Sequence, residues 1–160
     1  MAAMNFDLVE EDVLGVRMTV FANRLKTLRE LLDRSLDWGD RDYIVDGDRR
    51  ISYVDHHAAV RRVAHHLIGQ GVQKGDRVAI AGKNSIEWVV TFWATVSIGA
   101  IAVGINVWWS PDEVSYALGD CAPKLVIDDF TAITGLLTGD EVDFPAVEID
   151  EDDPALILYT

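Results

Sequence analysis

Between residues 77 and 127 the chain repeats one pattern: a short apolar run, a capped helical stretch, a second apolar run, a second capped stretch and a third run. Arg77-Val78-Ala79-Ile80-Ala81, residues 100–105 and residues 124–127 read as strands of small and β-branched residues. They lack clean alternation with polar residues, as expected when both faces of a sheet are covered. The first intervening stretch opens at Asn84, with Glu87 at the third position, and runs to Gly99. The second opens at Ser110-Pro111-Asp112-Glu113, a cap, a proline at the first turn and a glutamate at the third. Its buried stripe is Val114, Ala117, Leu118 and Cys121. Three strands joined by two short helices form a βαβαβ unit, hence a parallel sheet with right-handed crossovers.

The flanks are also legible. Thr27 with Glu30 predicts a capping box that opens a helix with Leu28, Leu31, Leu32 and Leu36 on one face, closed at Gly39. Tyr43-Ile44-Val45 and Arg50-Ile51-Ser52 bracket Asp46-Gly47, the mark of a hairpin. Ser52 caps a long helix with Tyr53, His57, Val60, Ala64 and Leu67 at spacings of three and four, ending near Gly69 and Gly71. Beyond Asp128, residues 130–137 predict a short helix, 146–149 a strand, and 148–153 an acidic connector before a last apolar strand, Leu156-Ile157-Leu158-Tyr159.

Composition narrows the function classes. A net charge of −13 argues against a nucleic-acid partner, since a polyanion would be repelled. Ten Asp and Glu residues lie between residues 128 and 153, with no Lys or Arg after Lys124, and read as a solvated flank. The single cysteine, Cys121, forms no internal disulfide, which suits a cytoplasmic protein. The 24 uncharged residues from 88 to 111 are long enough to span a bilayer, but their polar side chains and the break at Gly99 favour a buried helix running into a buried strand.

Most polar clusters are better read structurally. Gly69, Gly71 and Gly75 follow a helix and miss the dinucleotide spacing, so they form a helix end and turn. His56-His57 and His65-His66 sit about 12–15 Å apart on divergent helix faces, too far to share a metal, and read as solvated or interfacial. Asp128-Asp129 and Asp152-Asp153 could take a divalent cation, but adjacent carboxylates after strands are unspecific. Cys121 has no evident histidine partner and is a structural thiol. No metal ion is therefore assigned to these residues.

The order and spacing of many short pieces resembles the adenylate-forming (AMP-binding) enzymes. The pieces are Gly71-Val72, Lys74-Gly75-Asp76-Arg77-Val78-Ala79-Ile80, Asn84-Ser85, Glu87-Trp88, Ser97-Ile98-Gly99-Ala100, Asn106, the helix start at Ser110 and Lys124-Leu125-Val126-Ile127-Asp128. Ile51-Ser52-Tyr53 looks like the family's strand-end Thr-Tyr, and residues 15–21 look like the lead-in of fatty acyl-CoA ligases. The resemblance implies an α/β fold: a parallel-sheet βαβαβ unit with flanking helices and an N-terminal hairpin, part of the N-terminal domain of the acyl-CoA synthetase fold. It implies an arm over residues 1–26, an α/β subdomain over 27–154, and a strand over 155–160 that leads into the family's phosphate loop.

Thr160 matches the first residue of that loop and is the expected cofactor-binding residue. No catalytic residue is expected before it. The resemblance thus implies a chain truncated at the phosphate loop, inactive alone, whose parent is a ligase of fatty acid metabolism. Such a parent uses ATP, Mg2+ and coenzyme A on a fatty or other carboxylic acid; none of the three is expected to bind the 160 residues alone. A stand-alone interaction module, or a homodimer through an exposed apolar surface, is the alternative. Truncation predicts that the last strand loses its sheet neighbours and is disordered, pairs with another copy, or folds back on its own domain. Gly104 stands where the family usually has proline, a departure expected to loosen the loop carrying Trp108-Trp109. That pair could line an acyl or partner-facing groove, though packing against a neighbouring subdomain is the favoured reading.

Overall fold

The computed structural model describes residues 6–159. Strands β5 (Arg77–Ala81), β6 (Ile101–Ile105), β7 (Leu125–Ile127) and β8 (Leu156–Ile157) form one parallel sheet in the order β7-β5-β6-β8. Helix α3 (Ile86–Ser97) carries the chain from β5 to the adjacent β6. Helix α4 (Pro111–Cys121) carries it from β6 back past β5 to β7. Right-handed crossovers run in opposite directions must lie on opposite faces. The packing follows that rule. Val78, Ile80 and Ala102 point into a core shared with α2 (Tyr53–Gly69) and α3, whereas Ala79, Val103 and Ile105 meet Ala117 and Cys121 of α4. The expected parallel βαβαβ unit is therefore present.

Around it lie helix α1 (Leu28–Arg34), a 3₁₀ turn (Ser35–Trp38), the antiparallel hairpin of β3 (Asp42–Asp46) and β4 (Arg49–Ser52), and helix α5 (Thr131–Gly135). Gly47 opens the two-residue hairpin loop at φ 61, a conformation glycine adopts without penalty. Ser52 caps α2 by accepting from the Asp55 N–H, and at α4 the full capping box of Ser110 and Glu113 forms. An additional hairpin, β1 (Leu8–Val13) with β2 (Val16–Phe21), occupies the stretch read from sequence only as an arm. It turns on Leu14 and Gly15, both at positive φ, without the Asn-Gly or Asp-Gly signal such turns usually carry. Arg24 and Lys26, which follow it, bind Glu151, and Arg24 also reaches Glu11 on β1.

Several local expectations are corrected. The cap of α3 is Ser85, not Asn84, and Glu87 does not close a box. Its carboxylate is taken by Arg49, through two bonds of 2.6 and 3.0 Å, and by the Thr134 hydroxyl at 3.1 Å. At α1, Glu30 accepts from the Lys26 N–H rather than from Thr27. Leu32 is buried there and Leu31 is exposed; Leu36 is exposed too, because the helix tightens to 3₁₀ geometry after Arg34 and the stripe loses its angular spacing. Residues 146–149 form no strand. Phe144, just before them, packs instead on His57 and under the Arg29 guanidinium. Of the solvated or interfacial places expected for the histidines, His56 and His57 take neither a solvated nor a surface position and are buried, while His65 is exposed and bonded to the Asp143 carbonyl. Strand β8 keeps one neighbour, β6, and its outer edge is unpaired among the described residues. The apolar stretch from residue 88 to 111 divides into α3, β6 and a loop, and among the described residues no helix is long and apolar enough to cross a membrane.

Two stability effects follow. The Arg49 guanidinium holds the Glu87 carboxyl at about 2, below its ordinary 4.5. The ion pair is therefore fully present above pH 4.5 and lost as pH falls toward 2. Glu87→Gln is expected to cost about 1–2 kcal/mol at pH 7 in urea unfolding, with the gap to wild type closing near pH 2. Arg49→Met, which strands the carboxylate, should cost more; an equal or smaller loss would mean that the pair is not held as described. His56 lies between Tyr43 and Trp93, with neither ring nitrogen hydrogen-bonded, and burial lowers its pKa from 6.5 to about 3. The unfolded chain thus takes up a proton first, and stability declines as pH falls from 6.5. Replacing the residue in His56→Phe should flatten the loss between pH 7.5 and pH 5 by roughly 2 kcal/mol. An unchanged pH slope would show that His56 is not held neutral.

Candidate functional site

The switch in crossover direction leaves the carboxyl ends of the strands facing one open side, where parallel α/β sheets bind ligands. Three strand exits line a cleft of about 530 Å³ there. They are Gly82-Lys83-Asn84 after β5, Asn106-Val107-Trp108-Trp109 after β6, and Leu158-Tyr159 after β8. Trp88, from the first turn of α3, forms part of the wall and stacks on Phe92 at 6.0 Å. Among the described residues that line this cleft, Lys83 alone carries a charge. An apolar, aromatic lining with a single cation suits an extended organic ligand bearing an anionic group.

Each exit is shaped by a local device. Gly82 is needed because Phe130 crosses over it: a Cβ there would collide with the Phe130 ring. Asn106 turns the chain after β6 by accepting from the Trp108 N–H at 2.9 Å, while its carbonyl accepts from the Trp109 N–H at 3.2 Å. The tryptophan pair is thereby divided. Trp108 stands 83% exposed at the rim, and Trp109 turns inward to meet Tyr159 edge to face at 6.1 Å. Gly104 lies beneath Trp88, where a side chain would make only ordinary contact.

A second depression joins this region to the exit of β7 and is lined by Lys83, Glu87, Asp128, Asp129 and Thr134. Two of its three carboxylates are already engaged. Asp129 accepts from the N–H and hydroxyl of Thr131, bonds that lower its pKa, and Glu87 holds Arg49. At the other acidic pair, Asp153 binds Lys74 and the Asp150 N–H in a turn. No group of three or more His, Cys, Asp or Glu residues that could hold a metal occurs among the described residues. Cys121 is buried among Ala79, Val103 and Ile105, as a structural thiol would be. Thr160, the residue singled out for cofactor binding, lies outside the described residues. Sequence reasoning missed Lys83, the Gly82–Phe130 crossing and the Tyr159 contacts; only the glycine directly after an apolar strand offered a signal.

Comparison with known proteins places this geometry. The family model described as AMP-binding enzyme matches residues 32–160. The long-chain-fatty-acid–CoA ligase FadD13 of Mycobacterium tuberculosis is 33% identical over 138 residues, covering 71% of this chain and 27% of that protein. The acyl-CoA ligase sidI of Aspergillus fumigatus is 40% identical over 100 residues, covering 59% of this chain and 17% of its own length. This chain therefore spans about a quarter or less of the length of these relatives. Among solved structures, a Mycobacterium tuberculosis fatty acyl CoA synthetase superposes with a TM-score of 0.74 at 29% identity, over 84% of this chain and 32% of that one. The N-terminal subdomain of Klebsiella oxytoca NpsA, solved with 3-hydroxyanthranilyl-AMSN, gives a TM-score of 0.72 at 28% identity, over 85% of this chain and 37% of that one. The chain belongs to the AMP-binding enzyme family, as part of the N-terminal domain of an adenylate-forming enzyme close to the fatty acyl-CoA ligases.

Proposed function

We propose that these 160 residues are the scaffolding front of an ATP-dependent acyl-CoA synthetase. The observation that carries the reading is the cleft at the carboxyl ends of the parallel sheet, in a chain whose relatives are acyl-CoA ligases. In the proposed reaction a carboxylate oxygen attacks the α-phosphate of ATP, forming an acyl-adenylate and releasing pyrophosphate. The coenzyme A thiolate then displaces AMP to give the thioester. Such chemistry needs cations and backbone donors around the phosphates. Lys83 supplies one cation, while the described residues hold no cluster suited to Mg2+.

The division of labour is proposed as an arm over residues 1–26, a supporting α/β subdomain over 27–154, and a lead-in over 155–160, with Thr160 opening the phosphate loop. Residues 27–154 hold the cleft open and aim its exits, and they perform no bond-making step. A fatty or other carboxylic acid is the substrate, in a cytoplasmic enzyme.

A second reading, a stand-alone interaction or regulatory module derived from such an enzyme, draws on side chains such as Met18, Phe21, Trp108 and Leu158, all about half exposed or more. Monomeric behaviour in sedimentation velocity at every concentration would remove its self-associating form.

Acid-dependent ATP–pyrophosphate exchange, assayed with carboxylic acids of increasing chain length, tests the first reading. Exchange is expected from the full-length enzyme and none from the 160-residue chain. Exchange by the short chain would overturn the scaffold role; no exchange by the full-length enzyme with any acid would overturn the reaction.

A further inference from the structure

The β1–β2 hairpin is a sheet of two strands, and neither apolar core of the described residues includes a side chain from it. Arg24 and Lys26 pin its base through Glu151, and Arg24 also holds Glu11. Met18 and Phe21 stand about half exposed, and Leu14 and Val16 more so. A two-stranded sheet with so little cover is marginal in water, and further strands remove the deficit. Among the described residues neither outer edge has a strand partner.

The two edges differ in charge. The Ala22 N–H donates to the Asp7 carbonyl at 2.8 Å, which fixes the alternation of the ladder. The backbone groups of Leu8, Glu10 and Asp12 therefore turn outward on β1, and those of Arg17, Thr19 and Phe21 on β2. A second copy can extend such an edge about a two-fold axis perpendicular to the sheet, which keeps every side chain on its own face. On β1 the two central registers place the axis at Glu10 or Glu11, and each sets acid against acid. On β2 the sequence Val-Arg-Met-Thr-Val-Phe has no acid, and an axis at Met18 or Thr19 opposes no like charges. A chain of net charge −13 repels its copy wherever acids face each other, so an acid-free edge is where two copies can approach.

We propose that the outer edge of β2 is a dimer interface, at which two copies of this chain join β2 to β2 in one four-stranded antiparallel sheet. The axis lies at Thr19, because that register alone uses all three outward residues: Thr19 meets Thr19 of the other copy, and Arg17 meets Phe21. Met18 then lies opposite Val20, and the guanidinium of Arg17 beside an aromatic ring rather than another charge. The hairpin precedes residues 32–160, on which membership of the family rests, and the inference does not depend on the adenylation reading.

Sedimentation velocity of the full-length protein over roughly 1–100 µM, the range of a narrow interface, should show a monomer–dimer equilibrium. Thr19→Pro removes an N–H that points out of the hairpin, leaving the inner ladder whole, and should raise Kd about tenfold or more. Glu10→Pro, the same change on the outer edge of β1, should leave Kd within about threefold. Thr19→Lys, which keeps the backbone donor, sets two ammonium groups across the axis and should also weaken the dimer; mixing it with Thr19→Glu should restore association. A monomer at every concentration, a Kd indifferent to both Thr19 variants, or an equal loss in Glu10→Pro would overturn the inference. A monomer whose Thr19 and Phe21 amides resist hydrogen exchange would overturn it too, by showing that another part of the same chain covers the edge. No step of this test uses ATP–pyrophosphate exchange, so the two readings fail separately.

Discussion

The central strands β5 and β6 of the parallel sheet are buried on both faces, and most of the structure follows from that requirement. A parallel sheet cannot leave one face in water, since its crossovers put helices on the faces and its strands carry apolar residues on both sides. Here the chain meets the requirement by reversing direction once. Helix α3 covers the face lined by Val78, Ile80 and Ala102, and α4 covers the face lined by Ala79, Val103 and Ile105. The same reversal separates the exits of the strands on the carboxyl side and opens the cleft lined by Lys83, Trp88 and the two tryptophans after β6. Fold and site are two outcomes of one topological constraint.

Basic residues are few in a chain of net charge −13, and several are committed to holding the fold. Arg62 donates to the carbonyls of Leu136, Leu137, Gly139 and Asp140, fixing the segment after α5. Arg77 satisfies the carbonyls of Cys121 and Ala122 where α4 ends in a left-handed residue. Arg49 joins the β3–β4 hairpin to buried Glu87 on α3. Each of these arginines closes a gap in backbone or charge pairing that the apolar core cannot close. Lys83 differs in facing the cleft, which makes it the natural partner of an anionic ligand.

Where sequence reasoning stopped short, the cause is physical. Spacing predicts capping glutamates after Thr27 and Asn84, yet Glu30 turns to Lys26 and Glu87 is drawn away by Arg49, thirty-eight residues distant. A local pattern states what a glutamate could bond; the distant guanidinium offers a stronger, charge-assisted alternative. Helix spacing excludes a shared metal for His56 and His57 and leaves a solvated or an interfacial place open. Only the packing of Tyr43, Trp93 and Phe144 around them shows that both are buried. The β1–β2 hairpin escaped notice because its turn at Leu14-Gly15 and its acidic strand, Glu10-Glu11-Asp12, lack the usual signals. The Ser110 capping box, by contrast, was legible in full, since both partners sit within one turn.

The sequence by itself determined the order of elements from α1 to α5, the parallel character of the central unit and the family, because these depend on periodicity, caps and spacing along the chain. Tertiary structure alone decided the strand order β7-β5-β6-β8, the outward turn of Trp108 against the inward turn of Trp109, and the bond from Tyr159 to Asp120. Those features join residues far apart in the chain. They exist only after the two crossovers have brought the strand ends together, which no local pattern encodes.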